Sequence, residues 1–145
     1  MPTKLVLLVD DNAVVRFSVR RLFESQPEFE ISGEAENGSD AVQQAEKLKP
    51  NLIILDLIMP VMNGLDAAPL LKKLLPDTPI ILFTQEQATQ FTQEQATQVE
   101  RLAQAAGIDA VVSKSQAASE LVLKAQALLA AIEQEHDPPK FRDAS

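Results

Sequence analysis

The chain contains no cysteine, and this absence excludes several kinds of chemistry. Disulfide bridges, zinc sites built from thiolates and thiol nucleophiles all require that residue. Basic residues are also scarce, since 13 lysines and arginines stand against 21 acids and the net charge is −8. Because no basic stripe is available to neutralise phosphates, the composition argues against direct nucleic-acid binding.

The sequence also lacks a long hydrophobic run and a Gly/Ser-rich linker. Lys4 is followed by only a short apolar segment, so we expect neither a signal peptide nor a membrane span, and we predict a cytoplasmic protein. With 145 residues, of which 46% are hydrophobic, the chain can bury one full core. We therefore assign residues 1–132 to one domain and residues 133–145 to a flexible C-terminal tail.

Short apolar runs alternate with helical patterns along the whole domain. Strands are predicted near residues 4–9, 29–35, 52–56, 79–84 and 109–113. Helices are predicted from Asp11 or Asn12 to Ser25, from Ser39 or Asp40 to Leu48, over 65–75, along the stripe at Val99, Leu102, Ala103 and Ala106, and over 116–134. This strict alternation implies an α/β fold whose parallel sheet is covered by helices on both faces.

Four of the predicted strands end in polar side chains. Asp10 and Asp11 follow the first strand, Asp56 ends the third, Thr84 ends the fourth and Lys114 follows the fifth. In an open parallel sheet the carboxyl ends of the strands share one edge, and ligands bind along that edge. Three acids, a hydroxyl and an ammonium are therefore expected to converge there.

Such a cluster of acids points to a cation. Two carboxylates about 4 Å apart repel each other by roughly 4 kcal/mol at an effective dielectric constant of about 20. The three acids therefore either raise one another's pKa or bind a divalent ion, and an oxygen-only site suits Mg²⁺. A magnesium site with a carboxylate, an ammonium and a hydroxyl is an arrangement for phosphoryl transfer to the carboxylate.

These residues resemble a known family, the response-regulator receiver domain of two-component signalling. The order and spacing agree over residues 4 to about 132, at Asp10-Asp11, Asp56, Met59-Pro60, Asn63-Gly64, Thr84 and Lys114. The run from Gly33 to Gly38 is similar to receivers that precede a helix-turn-helix output domain. The resemblance implies a flavodoxin-like, doubly wound (βα)5 fold with five parallel strands in the order 2-1-3-4-5.

The resemblance also implies roles at the acid cluster. Asp56 is the expected phosphoacceptor, phosphorylated by a histidine kinase or a phosphorelay protein. Asp11 and Asp56 are expected to bind Mg²⁺ directly, together with the main-chain carbonyl of Ile58, while Asp10 acts through water. Such a domain is a signalling module rather than an enzyme, although it can catalyse its own phosphorylation and dephosphorylation.

Two further roles follow from the resemblance, and one departure bears on them. Lys114 is expected to pair with the phosphoryl group, and Thr84 is expected to be the switch hydroxyl. Receivers usually carry an aromatic residue three positions before the lysine, and this chain has Val111 there. The usual coupling between hydroxyl and aromatic ring is therefore not expected in its ordinary form.

An eight-residue tandem duplication interrupts the pattern at residues 83–98. Phe83–Gln90 is repeated without change as Phe91–Gln98. Phe83 and Thr84 follow an apolar strand, whereas Phe91 follows polar residues whose burial costs a few kcal/mol, so we expect Thr84 to keep the strand position. The added residues must then lengthen the fourth helix at its start or loop out, and their composition favours a longer helix.

Two rival functions remain open from the sequence. A non-catalytic interaction module would keep the acids while Val111 or the duplication uncouples them from output. An aspartate-nucleophile phosphatase is less consistent with the sequence, because such enzymes typically carry a second acid where this chain has Ile58. A homodimer through the fourth or fifth helix is also expected, since Leu123, Ala127 and Ala130 form an apolar line that should face outward.

Overall fold

The computed structural model describes residues 3–85, 93–115 and 118–136. Within these ranges five strands alternate with five helices. In chain order they are β1 (Lys4–Val9), α1 (Ala13–Glu24), β2 (Phe29–Ala35), α2 (Gly38–Leu48), β3 (Leu52–Leu55), α3 (Gly64–Leu74), β4 (Ile80–Thr84), α4 (Gln93–Ala105), β5 (Ala110–Ser113) and α5 (Ala118–His136). The alternation predicted from the sequence is confirmed.

The five strands form one parallel sheet in the order β2-β1-β3-β4-β5. This is the predicted 2-1-3-4-5 order, in which β1 lies inside the sheet and the chain winds to both sides of it. Among the described residues, no helix is both long and apolar enough to cross a membrane.

Alternating side chains of the central strands build a separate core on each face of the sheet. Val6 and Leu8 of β1 point toward α1 and α5, while Leu7 and Val9 point to the opposite face. On that opposite face α2 and α3 present mainly small residues, so the two helices can approach the sheet closely. Those residues are Ala41, Ala45, Ala67 and Ala68.

Asparagine side chains cap the first three helices. Asn12 accepts hydrogen bonds from the main chain of Val14 and Val15, which selects Asn12 over Asp11 as the cap of α1. Asn37 caps α2 by accepting from Asp40, so the predicted cap at Ser39 or Asp40 was wrong. Because the true cap precedes Gly38, α2 begins earlier than its polar residues suggested.

The fifth helix ends later than expected. It runs to His136, so the domain boundary predicted between residues 132 and 133 lies inside α5. The remaining part of the predicted tail, residues 137–145, lies outside the described residues. Along α5 the side chains of Leu121 and Ala125 are buried and that of Leu123 is exposed, as the helical pattern predicted.

The duplicated segment divides between a strand and a helix. Phe83 and Thr84 of the first copy complete β4, and both are buried. Gln93 of the second copy begins α4. The prediction that Thr84 keeps the strand position is confirmed, while the predicted N-terminal extension of the fourth helix falls on residues 86–92, which lie outside the described residues.

Candidate functional site

The acids lie together at the carboxyl edge of the sheet because β1 and β3 are neighbours. Val9 and Leu55 are paired residues at the ends of these strands. The main chain of Asp56 donates to the Val9 carbonyl over 2.9 Å, and that of Asp10 donates to the Ala35 carbonyl over 3.0 Å. The main-chain hydrogen bonds of the sheet therefore extend one residue past each strand and fix the backbone positions of Asp10 and Asp56.

Asp10, Asp11 and Asp56 form one cluster. Each offers a carboxylate oxygen, and the three oxygens lie within 4.8 Å of one another. Asp10 and Asp56 are buried, with 5% and 6% of their surface exposed, whereas Asp11 faces solvent. The convergence predicted from the strand ends is therefore present for the acids.

Lys114 reaches the same cluster from β5. Its main chain donates to the Thr84 carbonyl over 2.8 Å, which holds the residue at the sheet edge. Its ammonium lies 2.7 Å from Asp10 Oδ2 and 3.3 Å from Asp56 Oδ2. One cation thus faces two buried carboxylates, and the cluster keeps an excess of negative charge.

The pKa of Asp56 is raised from 3.8 to about 6, mainly by burial and secondly by the neighbouring charge of Asp10. Lys114 and the main-chain N–H of Leu57, which donates to Asp56 Oδ1 over 2.8 Å, act in the opposite direction. Desolvation therefore outweighs the nearby cation. A further positive charge at the cluster would lower the pKa of Asp56 and favour its ionised form.

The donor set fits a hard divalent cation. Three carboxylates within reach of one point supply the oxygen ligands that Mg²⁺ prefers, and the exposure of Asp11 leaves one side open to water. Both oxygens of Asp10 already have partners, because Oδ1 accepts from the Asn12 main chain over 2.9 Å and Oδ2 faces Lys114. Both oxygens of Asp56 also have protein partners, so the exposed Asp11 is the carboxylate with the most freedom to bind an ion.

The loop after Asp56 is shaped by a glycine and by a strained valine. A Cβ atom at Gly64 would collide with the Asp56 carbonyl oxygen, so only glycine lets α3 begin this close to the phosphoacceptor candidate. Val61 has a φ of 69° and is 83% exposed, and the Met62 main chain donates to the Pro60 carbonyl across it. A positive φ is a strained conformation for a β-branched residue.

The remaining predicted residues differ in burial and lie on β4, on β5 and in the loop after Asp56. Thr84 is buried at the end of β4, where it pairs with Ser113 of β5. Ile58 lies in the loop directly after the cluster, with its side chain exposed. Val111 is half-buried and packs against the core beneath the α2 and α3 face.

Two arginines and a glutamate were missed by the sequence reasoning. Arg16 of α1 donates to the Asp10 carbonyl over 2.6 Å and to Glu34 over 2.8 Å. Arg20 donates to the same glutamate over 2.7 Å. The spacing of Arg16 and Arg20 by four residues places both on one face of α1, and that was the only signal available in the sequence.

The chain is similar to known regulators over most of its length. Residues 6–126 match the family model described as the response regulator receiver domain. A Pseudomonas aeruginosa protein provisionally named as a transcriptional regulator is 42% identical over 125 residues, which cover 86% of this chain and 56% of that protein. The transcriptional regulatory protein YdfI of Bacillus subtilis is 48% identical over 79 residues, which cover 54% of this chain and 37% of that protein.

Solved structures show the same likeness. A LuxR-family two-component response regulator from Aurantimonas has a TM-score of 0.79 at 29% identity, with 89% of this chain and 86% of that one covered. The response regulator domain of Thermotoga maritima CheB has a TM-score of 0.69 at 29% identity, with 94% and 99% covered. The chain spans about half or less of the length of the two curated relatives named above. It belongs to the response regulator receiver domain family.

Proposed function

We propose that Asp56 accepts a phosphoryl group from a histidine kinase or a phosphorelay protein in a magnesium-dependent reaction. The observation that supports this most directly is the cluster itself. Asp56 lies among two further carboxylates, with the Lys114 ammonium 3.3 Å from its Oδ2 atom. An ionisable nucleophile beside a cation and an acidic metal site is the combination that phosphoryl transfer requires.

In the proposed reaction an oxygen of the Asp56 carboxylate attacks the phosphorus atom of the donor. A phosphorus–oxygen bond forms, and the bond between phosphorus and the donor imidazole nitrogen breaks. The bonding electron pair leaves on that nitrogen, which takes a proton from solvent. Oδ1 is held by the Leu57 N–H while Oδ2 faces Lys114, so the carboxylate is oriented before the donor arrives.

The residues that would hold Mg²⁺ are Asp11, Asp56 and the Ile58 carbonyl, with Asp10 acting through water. The ion, when bound, supplies positive charge that offsets the charge of the phosphoryl oxygens. Lys114 supplies a second positive charge from the protein and already lies against the cluster. Thr84 ends the neighbouring strand and is proposed as the hydroxyl that engages the phosphoryl group.

A rival function is favoured by one observation, the half-buried Val111 at the position where receivers usually have an aromatic residue. If the aromatic is needed for switching, the domain would act as an interaction module whose acidic site is uncoupled from output. We favour the phosphoacceptor because the acids, the lysine and the threonine are all retained. Because the proposed function needs a kinase or phosphodonor, we also propose that the chain works in the cytoplasm, where these are found.

Phosphorylation can be tested by intact-mass measurement after incubation with Mg²⁺ and a small-molecule phosphodonor. Wild type is expected to gain one phosphoryl group and Asp56→Asn none. Asp66→Asn is the matched control, because Asp66 is an exposed acid in the first turn of α3 outside the cluster. Equal labelling of wild type and Asp56→Asn would remove the proposal, and labelling that changes no association would support the interaction module instead.

A further inference from the structure

Arg16 connects the first helix to the main chain of the acid pair. Its side chain is 13% exposed, and its Nη1 atom donates to the Asp10 carbonyl over 2.6 Å. That carbonyl belongs to the peptide unit that joins Asp10 to Asp11. The arginine therefore holds the backbone from which the exposed Asp11 projects, rather than either carboxylate.

A second contact keeps the guanidinium in place. The Nε atom of Arg16 donates to Glu34 Oε1 over 2.8 Å, while Arg20 binds Oε2 of the same carboxylate. Burial alone raises the pKa of Glu34, but the hydrogen bonds from Arg20 and Arg16 outweigh that effect and hold the pKa below its usual value. Glu34 thus stays ionised, and its charged hydrogen bonds fix the orientation of Arg16.

Two further hydrogen bonds hold the short connection between β1 and α1 on either side of this carbonyl. The Asp10 N–H donates to the Ala35 carbonyl, and the Asp10 carboxylate accepts from the Asn12 N–H. The Asp10 carbonyl lies between these two points, and Arg16 is its partner. Removing the guanidinium would free this peptide unit to rotate.

We propose that Arg16 is a positioning residue for the metal-binding acids, acting through the Asp10–Asp11 peptide unit. The inference rests on the proposed function, because it assumes that these acids bind Mg²⁺. A group that orients a ligand from outside typically changes metal affinity by about 10-fold to 100-fold when it is removed. Arg16 would act by geometry, since its charge opposes the binding of a cation.

Because the charge of Arg16 opposes cation binding, a charge effect and a positioning effect predict changes in Mg²⁺ affinity of opposite sign. Arg16 lines the same crevice as Asp10 and Asp56, so deleting its positive charge makes the site more negative. If Arg16 acted only as a nearby charge, Arg16→Met would strengthen Mg²⁺ binding. If it positions the acids, Arg16→Met weakens Mg²⁺ binding despite the lost charge.

The experiment is a calorimetric titration of the protein with Mg²⁺ at a temperature where each variant is shown by its amide spectrum to be folded. We expect Arg16→Met to bind Mg²⁺ about 10-fold more weakly than wild type. Arg20→Met is the matched control, because Arg20 shares Glu34 but its described hydrogen bonds go only to Glu34 and Glu24. We expect the affinity of Arg20→Met to stay within about twofold of wild type.

A spectroscopic signature accompanies the change in affinity. Since the Asp10 carbonyl and the Asp11 N–H share one peptide unit, losing the Arg16 hydrogen bond should shift the Asp11 amide resonance in the metal-free protein. Arg20→Met should leave that resonance near its wild-type position. If Arg16→Met does not fold, Arg16→Lys replaces it, because one ammonium keeps the charge but cannot serve both Asp10 and Glu34 in the same way.

The outcomes separate this inference from the proposed function. A wild type that neither binds Mg²⁺ nor labels at Asp56 would end the proposed function. A wild type that does both, with an Arg16 variant that binds Mg²⁺ as well as wild type or better, would overturn only the positioning role. Equal losses in Arg16→Met and Arg20→Met would also overturn it, because the effect would then belong to Glu34.

Discussion

The Lys114 ammonium lies 2.7 Å from Asp10 Oδ2, which joins the end of β5 to the end of β1 across the two strands between them. The same ammonium is 0.6 Å farther from Asp56, the proposed nucleophile, at 3.3 Å. Lys114 therefore neutralises mainly the acid that has no direct part in the proposed chemistry. Because burial outweighs this more distant cation, the pKa of Asp56 stays raised, and the site has a measurable electrostatic cost in the absence of metal.

The stability of the metal-free protein should fall as pH rises through the range in which Asp56 ionises. Its pKa is raised from 3.8 to about 6 in the folded state, so the folded state binds more protons than the unfolded state between those values. Well below pH 3.8 both states are protonated and the penalty is absent. Well above pH 6 the penalty is complete, at about 2 kcal/mol after allowance for solvent screening.

Asp56→Asn should remove that penalty. In urea denaturation with chelator present, the variant is expected to be about 2 kcal/mol more stable than wild type at pH 7.5 and equal to it at about pH 3. Asp11→Asn is the control, because Asp11 faces solvent and its removal should stabilise less. A gain that is the same at both pH values would show that the ionisation of Asp56 is not its source.

Magnesium binding should depend on Asp11 more than on Asp10. Both carboxylate oxygens of Asp10 have protein partners, whereas Asp11 is exposed beside the cluster. Removing a direct ligand weakens metal binding more than removing a group that acts through water. Asp11→Ala should therefore weaken Mg²⁺ binding more than Asp10→Ala does. A Mg²⁺ titration of both variants checks this. If Asp10→Ala binds Mg²⁺ more weakly than Asp11→Ala, the proposed ligand set is wrong.

Replacing Val61 by glycine should stabilise the fold. Val61 has a φ of 69°, a conformation that costs a β-branched residue about 1–3 kcal/mol and glycine almost nothing. After subtracting the greater freedom of glycine in the unfolded chain, we expect a gain of about 1 kcal/mol in denaturant unfolding. Lys49→Gly is the matched control.

Lys49 also has a positive φ, of 47°, at the end of α2, but lysine is not β-branched. Its replacement should therefore give a smaller gain than Val61→Gly. Loss of stability in Val61→Gly would mean that the strain assigned to this loop is compensated by contacts of the valine side chain.

Deleting one copy of the duplication should change association more than phosphorylation. Removal of 83–90 or of 91–98 leaves the same chain, which keeps a Phe-Thr pair at the end of β4. We expect it to fold and to label at Asp56, because the acids and Lys114 belong to other segments. Sedimentation and kinase-binding measurements should differ from wild type, since α4 begins within the second copy.

The exposed line of α5 offers a comparison for that deletion. Leu123 is 57% exposed, and Leu123→Glu should weaken a homodimer or partner contact through α5 without changing labelling. A deletion variant that fails to fold would place the repeat in the core. A deletion variant with unchanged association, measured beside Leu123→Glu, would show that the repeat is inert.

Much of the site could be predicted because its determinants are local in the chain. Each apolar run specifies a strand, and the residue after the run lies at the carboxyl edge by the geometry of a parallel sheet. Asp10, Asp56 and Lys114 were located in this way, and the structure brings them together. The roles assigned to Thr84 and to the Ile58 carbonyl remain predictions.

Contacts between side chains from separate elements could not be predicted in the same way. Lys72 has the pattern of a solvated helix-face lysine, yet its ammonium lies 2.8 Å from Asp109 and donates to the Thr78 carbonyl. A helical pattern states which face a residue occupies, but it does not say which loop packs against that face. The ion pair forms because α3 packs beside the loop before β5, and this packing is a property of the tertiary structure.

The amino-acid sequence by itself determined the order of strands and helices, the convergence of acids at one edge and the family to which the chain belongs, because hydrophobic periodicity and strand-end residues act over short stretches. Tertiary structure alone decided how charge is shared within the site. Lys114 favours Asp10 over Asp56, and Arg16 holds a peptide unit instead of a carboxylate. These choices depend on distances of a few tenths of an ångström and on burial, which exist only after the helices have packed against the sheet.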